Sequence, residues 1–197
     1  AESMGEGFRR TVLQWHEVTV ECVEHILAAC MGVGVDNLTI ELDAQEPPAT
    51  DGSAHVFAQR LLRAQIVEQD AEKPQLKVSE TLAVSEGLAS IVALPWEKGL
   101  HLTYVMDFDG QYLPIRAAVQ LLSTENFMKE IAPARTFSPE SFYEEFIKRG
   151  IGGGVTDENS LLVCEDGRVV KPLSREPADL RFPDECVRHK LLDLVGD

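Results

Sequence analysis

Apolar positions along the chain change period several times, and each change predicts an element. In "EVTVECVEHILAACMGVGVD", Val18 and Val20 alternate with polar residues, the pattern of a half-buried strand. The run "VECVEHILAACM" is rich in Ala and Leu and predicts a helix, which "GVGVD" ends. "NLTIELD" then alternates strictly, with Leu38, Ile40 and Leu42 toward a core and Thr39, Glu41 and Asp43 toward water, so an amphipathic strand is expected there. After the loop "QEPPATDGSA", the run "SAHVFAQRLLRAQI" predicts a second helix with Ser53 as its cap.

"EQDAEKPQ" is polar throughout and reads as a linker. Beyond it, "LKVSETLAV", "ASIVALPW" and "LHLTYVMDF" are strand-like. "TENFMKEIA" predicts a short helix, and "SPESFYEEFIKRG" a longer one with Pro139 in its first turn and Gly150 at its end. "SLLVCEDGRVV" reads as a hairpin turned at "EDG", and "FPDECVRHKLLDLVGD" as a final helix. Strands and helices recur on both sides of the linker. The expected class is α+β, as two small layered domains, residues 1–68 and 76–197.

A chain of 197 residues, 44% of them hydrophobic, can build such cores. The net charge of −15 argues against nucleic acid or an anionic membrane surface as the main partner. No stretch is long and apolar enough to span a bilayer, so stable membrane insertion is not expected. "AESMGEGFRR" lacks a signal pattern. Cys22, Cys30, Cys164 and Cys186 form no C-x-x-C pair, and a reduced, cytoplasmic protein is the simplest reading. A monomer is the expected state.

Two helices carry polar groups that burial alone does not require. On the last, with about 100° per residue, His189, Asp193, Cys186, Asp197 and Lys190 fall on one arc, and Val187, Leu191, Leu192, Leu194 and Val195 on the opposite one. A solvated polar face accounts for such an arc as well as a site does. On the first, Glu24 and His25 sit in a run otherwise apolar or small, with Ala29 on the His25 face. A buried carboxylate there costs several kcal/mol unless compensated, on the order of a full desolvation penalty. A helix end with Glu24 in solvent is the plain alternative. Taken together, His25, His189 and Asp193 make a His₂-carboxylate set that suits a catalytic Zn²⁺, with Glu24 as an adjacent general base. H-E-x-x-H is absent.

The blocks "VEHILAACMGVGVDNLTIELD", "DGSA", "PARTF" and "FPDECVRHKLLDLVGD" closely resemble the UDP-3-O-acyl-N-acetylglucosamine deacetylases, zinc hydrolases of lipid A synthesis. The match is ordered from about the tenth residue to the end and is looser from Lys77 to Leu122. The resemblance implies His25, His189 and Asp193 as zinc ligands and Glu24 as the catalytic base. It implies that the Thr136 hydroxyl helps hold the oxyanion and that Lys190 lies beside a UDP-linked acylated amino sugar. Asp197 would match a carboxylate that orients a catalytic histidine, and Phe137 would border the acyl-chain passage. The family fold is two α+β domains of similar topology, layered α/β sandwiches packed face to face with zinc between them. The family has strands before this sequence begins, and a Gly-His-containing segment after "LVGD" that supplies an active-site histidine. The first domain is therefore expected to be N-terminally incomplete and the second C-terminally incomplete. The other reading is a catalytically silent relative, a zinc-containing binding or regulatory module.

Other residues are read as structural. Cys186 and Cys22 are formal rival ligands but pack as small hydrophobes. His16, His55 and His101 lack partners at ligand spacing. "GIGGGVTDENS" lacks Lys-Ser/Thr, so it is no P-loop, and tight turning is expected. "EPADLRFPDE" is expected to be a solvated approach, with Asp184 and Glu185 near the positive end of the last helix.

Overall fold

The computed structural model describes residues 3–4, 9–108, 112–150 and 152–197. Part of the N-terminal run read for a signal pattern, and Ile151 of the glycine-rich run, lie outside the described residues. Helices and small sheets are mixed along the chain, an α+β arrangement.

An antiparallel sheet comes first, in the order β1 (Ser3–Met4), β2 (Val12–Trp15), β3 (Val18–Glu21). The alternation of Val18 and Val20 foretold β3, and its register pairs Val20 with Leu13 and Val18 with Trp15. Helix α1 (Glu24–Val33) follows and buries Ala28, Ala29, Gly32 and Val33. Its small residues allow close approach. A Cβ on Gly32 would fall 2.2 Å from the Phe127 ring, so Gly32 makes room for that buried phenyl. Helix α2 (His55–Arg63) packs on α1. Ala54 holds the N-cap position, but the Ser53 hydroxyl still accepts from His55 N at 3.1 Å, satisfying one of the free amides of the first turn.

The strand expected over "NLTIELD" does not form. That segment has no regular structure, and Leu38, Ile40 and Leu42 are 50%, 40% and 37% exposed. Alternation supplies a face, but a ladder also needs a neighbour to take its amides and carbonyls. No strand pairs with this segment among the described residues.

The polar stretch 68–75 is exposed and without regular structure. Two separate antiparallel hairpins come after it: β4 (Leu82–Glu86) with β5 (Ala89–Ala93), and β6 (His101–Met106) with β7 (Arg116–Leu121). β7 was not foreseen: the apolar positions Ala117, Val119 and Leu121 of "RAAVQL" lie on its exposed face, and Ala118 is the residue it buries. Helix α3 (Thr124–Asn126) runs into a π-helical turn, Phe127–Ile131, closed by Ala132 N donating to Phe127 O at 2.7 Å. Phe127 and Ile131 are wholly buried.

β8 (Thr136–Pro139), α4 (Glu140–Lys148) and β9 (Ser160–Val163) form a βαβ unit, β8 and β9 pairing in parallel. β10 (Val169–Val170) adds antiparallel to β9 and completes the expected hairpin at "EDG". All four side chains of β9 are buried. The last helix, α5 (Glu185–Gly196), buries Val187, Leu191 and Leu192 and packs on α1. A Cβ at Gly196 would lie 2.0 Å from the Glu24 carbonyl oxygen, so only glycine lets the end of α5 touch the start of α1. That contact brings the two polar helix faces together.

The segment before α5 differs from expectation. Glu185 is 1% exposed, not solvated, because Arg135 reaches across to pair with it. Asp184 receives Arg188, one turn on, at 2.6 Å.

Candidate metal centre

Three donors meet where α1 and α5 cross. One ligating atom from each of His25, His189 and Asp193 lies within 4.8 Å of the others. Asp193 Oδ1 is 3.2 Å from His189 Nε2 and 3.8 Å from His25 Nε2. The two imidazoles stand edge to face, with centroids 4.9 Å apart. Helix periodicity puts His189 and Asp193 on one face, and the Gly196 contact brings His25 to it. His189 Nδ1 lies 3.0 Å from the Ala134 carbonyl oxygen. A carbonyl only accepts, so Nδ1 donates to it and Nε2 is turned toward Asp193.

The protonation states follow from the surroundings. Burial, with His189 alongside, pushes His25 down to about 4, so its imidazole is neutral near pH 7. Burial works to raise the Asp193 carboxyl, but His189, Lys190 and His25 outweigh it and hold it below the ordinary carboxylate range. Burial likewise disfavours the Lys190 ammonium, and Asp193 overcomes this, its Oδ2 2.6 Å from Lys190 Nζ. Burial raises the Glu24 carboxyl, as do Asp193 and Asp197, while the Thr11 amide, 3.2 Å from Oε2, works the other way. Two neutral-capable imidazoles and an ionised carboxylate, from two helices locked together, fit a divalent transition-metal ion.

A family model described as LpxC: UDP-3-O-acyl N-acetylglycosamine deacetylase matches residues 1–197. The chain belongs to this family. It is 37% identical over 199 residues to the UDP-3-O-acyl-N-acetylglucosamine deacetylase of Stenotrophomonas maltophilia (strain R551-3), covering 100% of this chain and 63% of that protein. It is 39% identical over 184 residues to the protein of the same description from Actinobacillus pleuropneumoniae serotype 3 (strain JL03), covering 91% of this chain and 58% of that one. The chain thus spans about three fifths of the length of these relatives.

The remaining candidate residues lie around the three donors at different distances. Phe137 packs edge-on to His189, centroids 6.3 Å apart. Thr136 opens β8, and its amide donates to Gly52 O at 2.8 Å, which ties "ARTF" to "DGSA". Asp197, one turn beyond Asp193, accepts a hydrogen bond from the Thr11 hydroxyl. Cys186 is buried in the core with its thiol pushed to about 12 by burial and by Glu185. Burial and Glu24 push Cys22 to about 12 as well, and its Sγ lies 3.3 Å from Glu46. All four cysteines are free. His16 and His101 are exposed, and His55 sits against Gln59 at 2.8 Å.

Sequence reading missed Thr11, which holds Glu24 by its amide and Asp197 by its hydroxyl. A Thr before a weak strand gives no local signal for this. It also missed the role of Asp51, which accepts from Ser53 N and Oγ and pairs with Arg181 at 2.9 Å, and whose loop meets the strand carrying Thr136.

Proposed function

We propose that the protein carrying this chain is a zinc-dependent amidohydrolase that removes the N-acetyl group of a UDP-3-O-acyl-N-acetylglucosamine in lipid A biosynthesis. What carries the reading is the convergence of His25, His189 and Asp193 beside Glu24 in a member of this family. The reading includes a cytoplasmic, monomeric protein. It also includes two α+β units, residues 1–68 and 76–197, layered and packed face to face with the site between them. In favour of that division, His25 precedes the exposed stretch 68–75 while His189 and Asp193 follow it.

In this proposal His25 Nε2, His189 Nε2 and an Asp193 oxygen hold the ion. When bound, Zn²⁺ supplies Lewis acidity, which brings the pKa of a water to about 7. Glu24 accepts the proton of the attacking water, and the burial that raises its carboxyl makes it a stronger base for that task. The Thr136 hydroxyl donates to the oxygen of the tetrahedral intermediate. Collapse breaks the C–N bond, Glu24 returns its proton to the leaving amine, and acetate departs. Lys190 faces the sugar nucleotide, Phe137 borders the acyl chain, and Asp197 orients the imidazole of a catalytic histidine.

The test is metal content together with acetate release from the acylated sugar nucleotide, measured on purified protein carrying these residues. Glu24→Ala is expected to lose roughly 10²–10⁴-fold in rate with its zinc retained, the range for a general base. Turnover unaffected by Glu24→Ala, or zinc held without turnover in the parent, would overturn the proposal.

A further inference from the structure

We infer that the buried Arg135–Glu185 pair is a positioning element for this site. It fixes the segment leading into β8 that sets the tautomer and direction of His189. The inference rests on the metal-centre reading above.

Glu185 and His189 are four residues apart on α5 and so share one face, one turn apart. The facing residues, just before β8, are neighbours. Glu185 Oε1 accepts from Arg135 N at 3.0 Å, and His189 Nδ1 donates to Ala134 O at 3.0 Å. The single peptide unit between Ala134 and Arg135 is thus pinned by its N–H and its C=O to two successive turns. If the first bond is lost, this peptide is held only through its neighbours, by Ala134 N on Ile131 O at 3.0 Å and Thr136 N on Gly52 O at 2.8 Å, and the Ala134 carbonyl is free to tilt from the ring.

The pair is built for that task. The Glu185 carboxylate also accepts from Arg135 Nε at 2.9 Å, Arg135 Nη2 at 3.2 Å and Arg181 N at 2.7 Å. Arg135 also donates from Nη2 to Asp179 O at 2.7 Å and from Nη1 to Glu158 O at 3.4 Å. Both side chains are buried, Glu185 almost wholly. A buried ion pair is weak as a source of stability, since apolar residues of similar volume often do as well. Its distinctive property is a fixed bidentate geometry, which an apolar pair lacks. On either side, Ala134 reaches His189 and Thr136 N reaches Gly52 O. Arg135 therefore anchors the middle of a three-residue segment whose two ends both bear on the site.

The test is affinity for Zn²⁺, by chelator competition, and for Co²⁺, by its d–d absorption. Both are measured on the folded protein well below its melting temperature. Outer partners of metal-ligating histidines are typically worth 10–100-fold in metal affinity. Glu185→Gln is expected to weaken both ions by about that factor. Arg135→Lys keeps the amide bond to Glu185 and loses only the fork, so a smaller loss, about 3–10-fold, is expected at the low end of that range. It also serves as the deciding variant if Glu185→Gln does not fold. In the metal-free protein, the ring ¹⁵N shifts of His189 should report a protonated Nδ1 in the parent and mixed tautomers in Glu185→Gln. Leu162→Ala, in the separate cluster with Tyr143 and Val170, should lower stability and leave metal affinity unchanged. Variants that melt earlier yet bind metal and hold the tautomer as the parent does would reduce the pair to a purely structural one and overturn the inference. His189→Ala separates the two readings. Metal uptake unaffected by His189→Ala sinks the metal centre itself, whereas uptake lost there but intact in Glu185→Gln sinks only the positioning role.

Discussion

The region around α5 and β9 and the β4–β5 hairpin are built from similar residues and end in opposite environments. β9 and the inner face of α5 are sealed: Leu161, Leu162, Val163, Val187, Leu191 and Leu192 have almost no exposed surface. In the hairpin, Val84 and Ile91 face each other across the ladder and remain 66% and 57% exposed. β4 and β5 pack chiefly on each other, whereas α5 packs on α1, β6, β7, β8 and the π turn. Apolar composition therefore does not decide burial. Layers meeting from several directions do, and the three donors lie where most layers meet.

The largest effect is expected at the tightest junction of the sealed region. Gly52 has φ +76°, and a Cβ there would lie 1.6 Å from the Asn159 carbonyl oxygen. Its own carbonyl accepts from Thr136 N. Gly52→Ala combines backbone strain with overpacking against backbone, so a loss of roughly 2–6 kcal/mol is expected from the denaturation midpoint in urea. A variant as stable as the parent would mean that this junction yields, and that the sealed region is less rigid than its packing implies.

Next comes truncation inside the seal. Leu192 is wholly buried on α5, and Leu192→Ala should cost about 2–5 kcal/mol by lost transfer energy and a residual cavity. The same assay reads both variants. A cost below about 1 kcal/mol would mean that the site collapses around the gap, outside the range for a packed leucine.

A smaller and pH-dependent effect belongs to Asp51, at the rim of the sealed region. Burial works to raise its carboxyl, but the Ser53 hydrogen bonds and Arg181 outweigh this and lower it from the ordinary 3.8. A carboxyl whose folded pKa is depressed stabilises fully above its unfolded pKa and loses that contribution as pH falls through the folded one. The pair with Arg181 is partly exposed, so Asp51→Asn should cost about 1 kcal/mol or less at pH 7. Melting temperatures of parent and variant should then begin to converge below about pH 4 and meet only once the pH has fallen through the depressed folded pKa. A gap that stays constant down to pH 2 would show that the loss comes from the loop geometry and not from charge.

The two regions were legible to different degrees, for physical reasons. α5 could be read end to end because a helix needs no partner to declare its period. His189 and Asp193 fall on one face by spacing alone. The meeting with His25 was readable as an anomaly, a polar pair in a small-residue run, and Gly196 is the residue that permits it. "NLTIELD" misled because alternation is local and strand pairing is not. Glu185 misled because a carboxylate in a first helical turn is satisfied by the helix itself, so nothing in the sequence reveals that Arg135 claims it. β7 stayed hidden since its sole buried side chain is an alanine.

The smallest effect is expected in the hairpin, and it tests the comparison from its other side. An isolated two-stranded hairpin is marginal in water, and the side chains of β4 and β5 gain little from burial. Val84→Thr keeps the shape and the β-branch while placing a hydroxyl on a face already in water, so stability should stay within about 0.5 kcal/mol of the parent. Hydrogen exchange sharpens the point. Amides of β4 and β5 should exchange through local opening, far faster than those of β9, which should open only with global unfolding. Equal protection in the two places, together with a loss of about 2 kcal/mol or more in Val84→Thr, would show that the hairpin belongs to the same cooperative core as α5. The contrast between the two regions would then be one of exposure alone, not of stability.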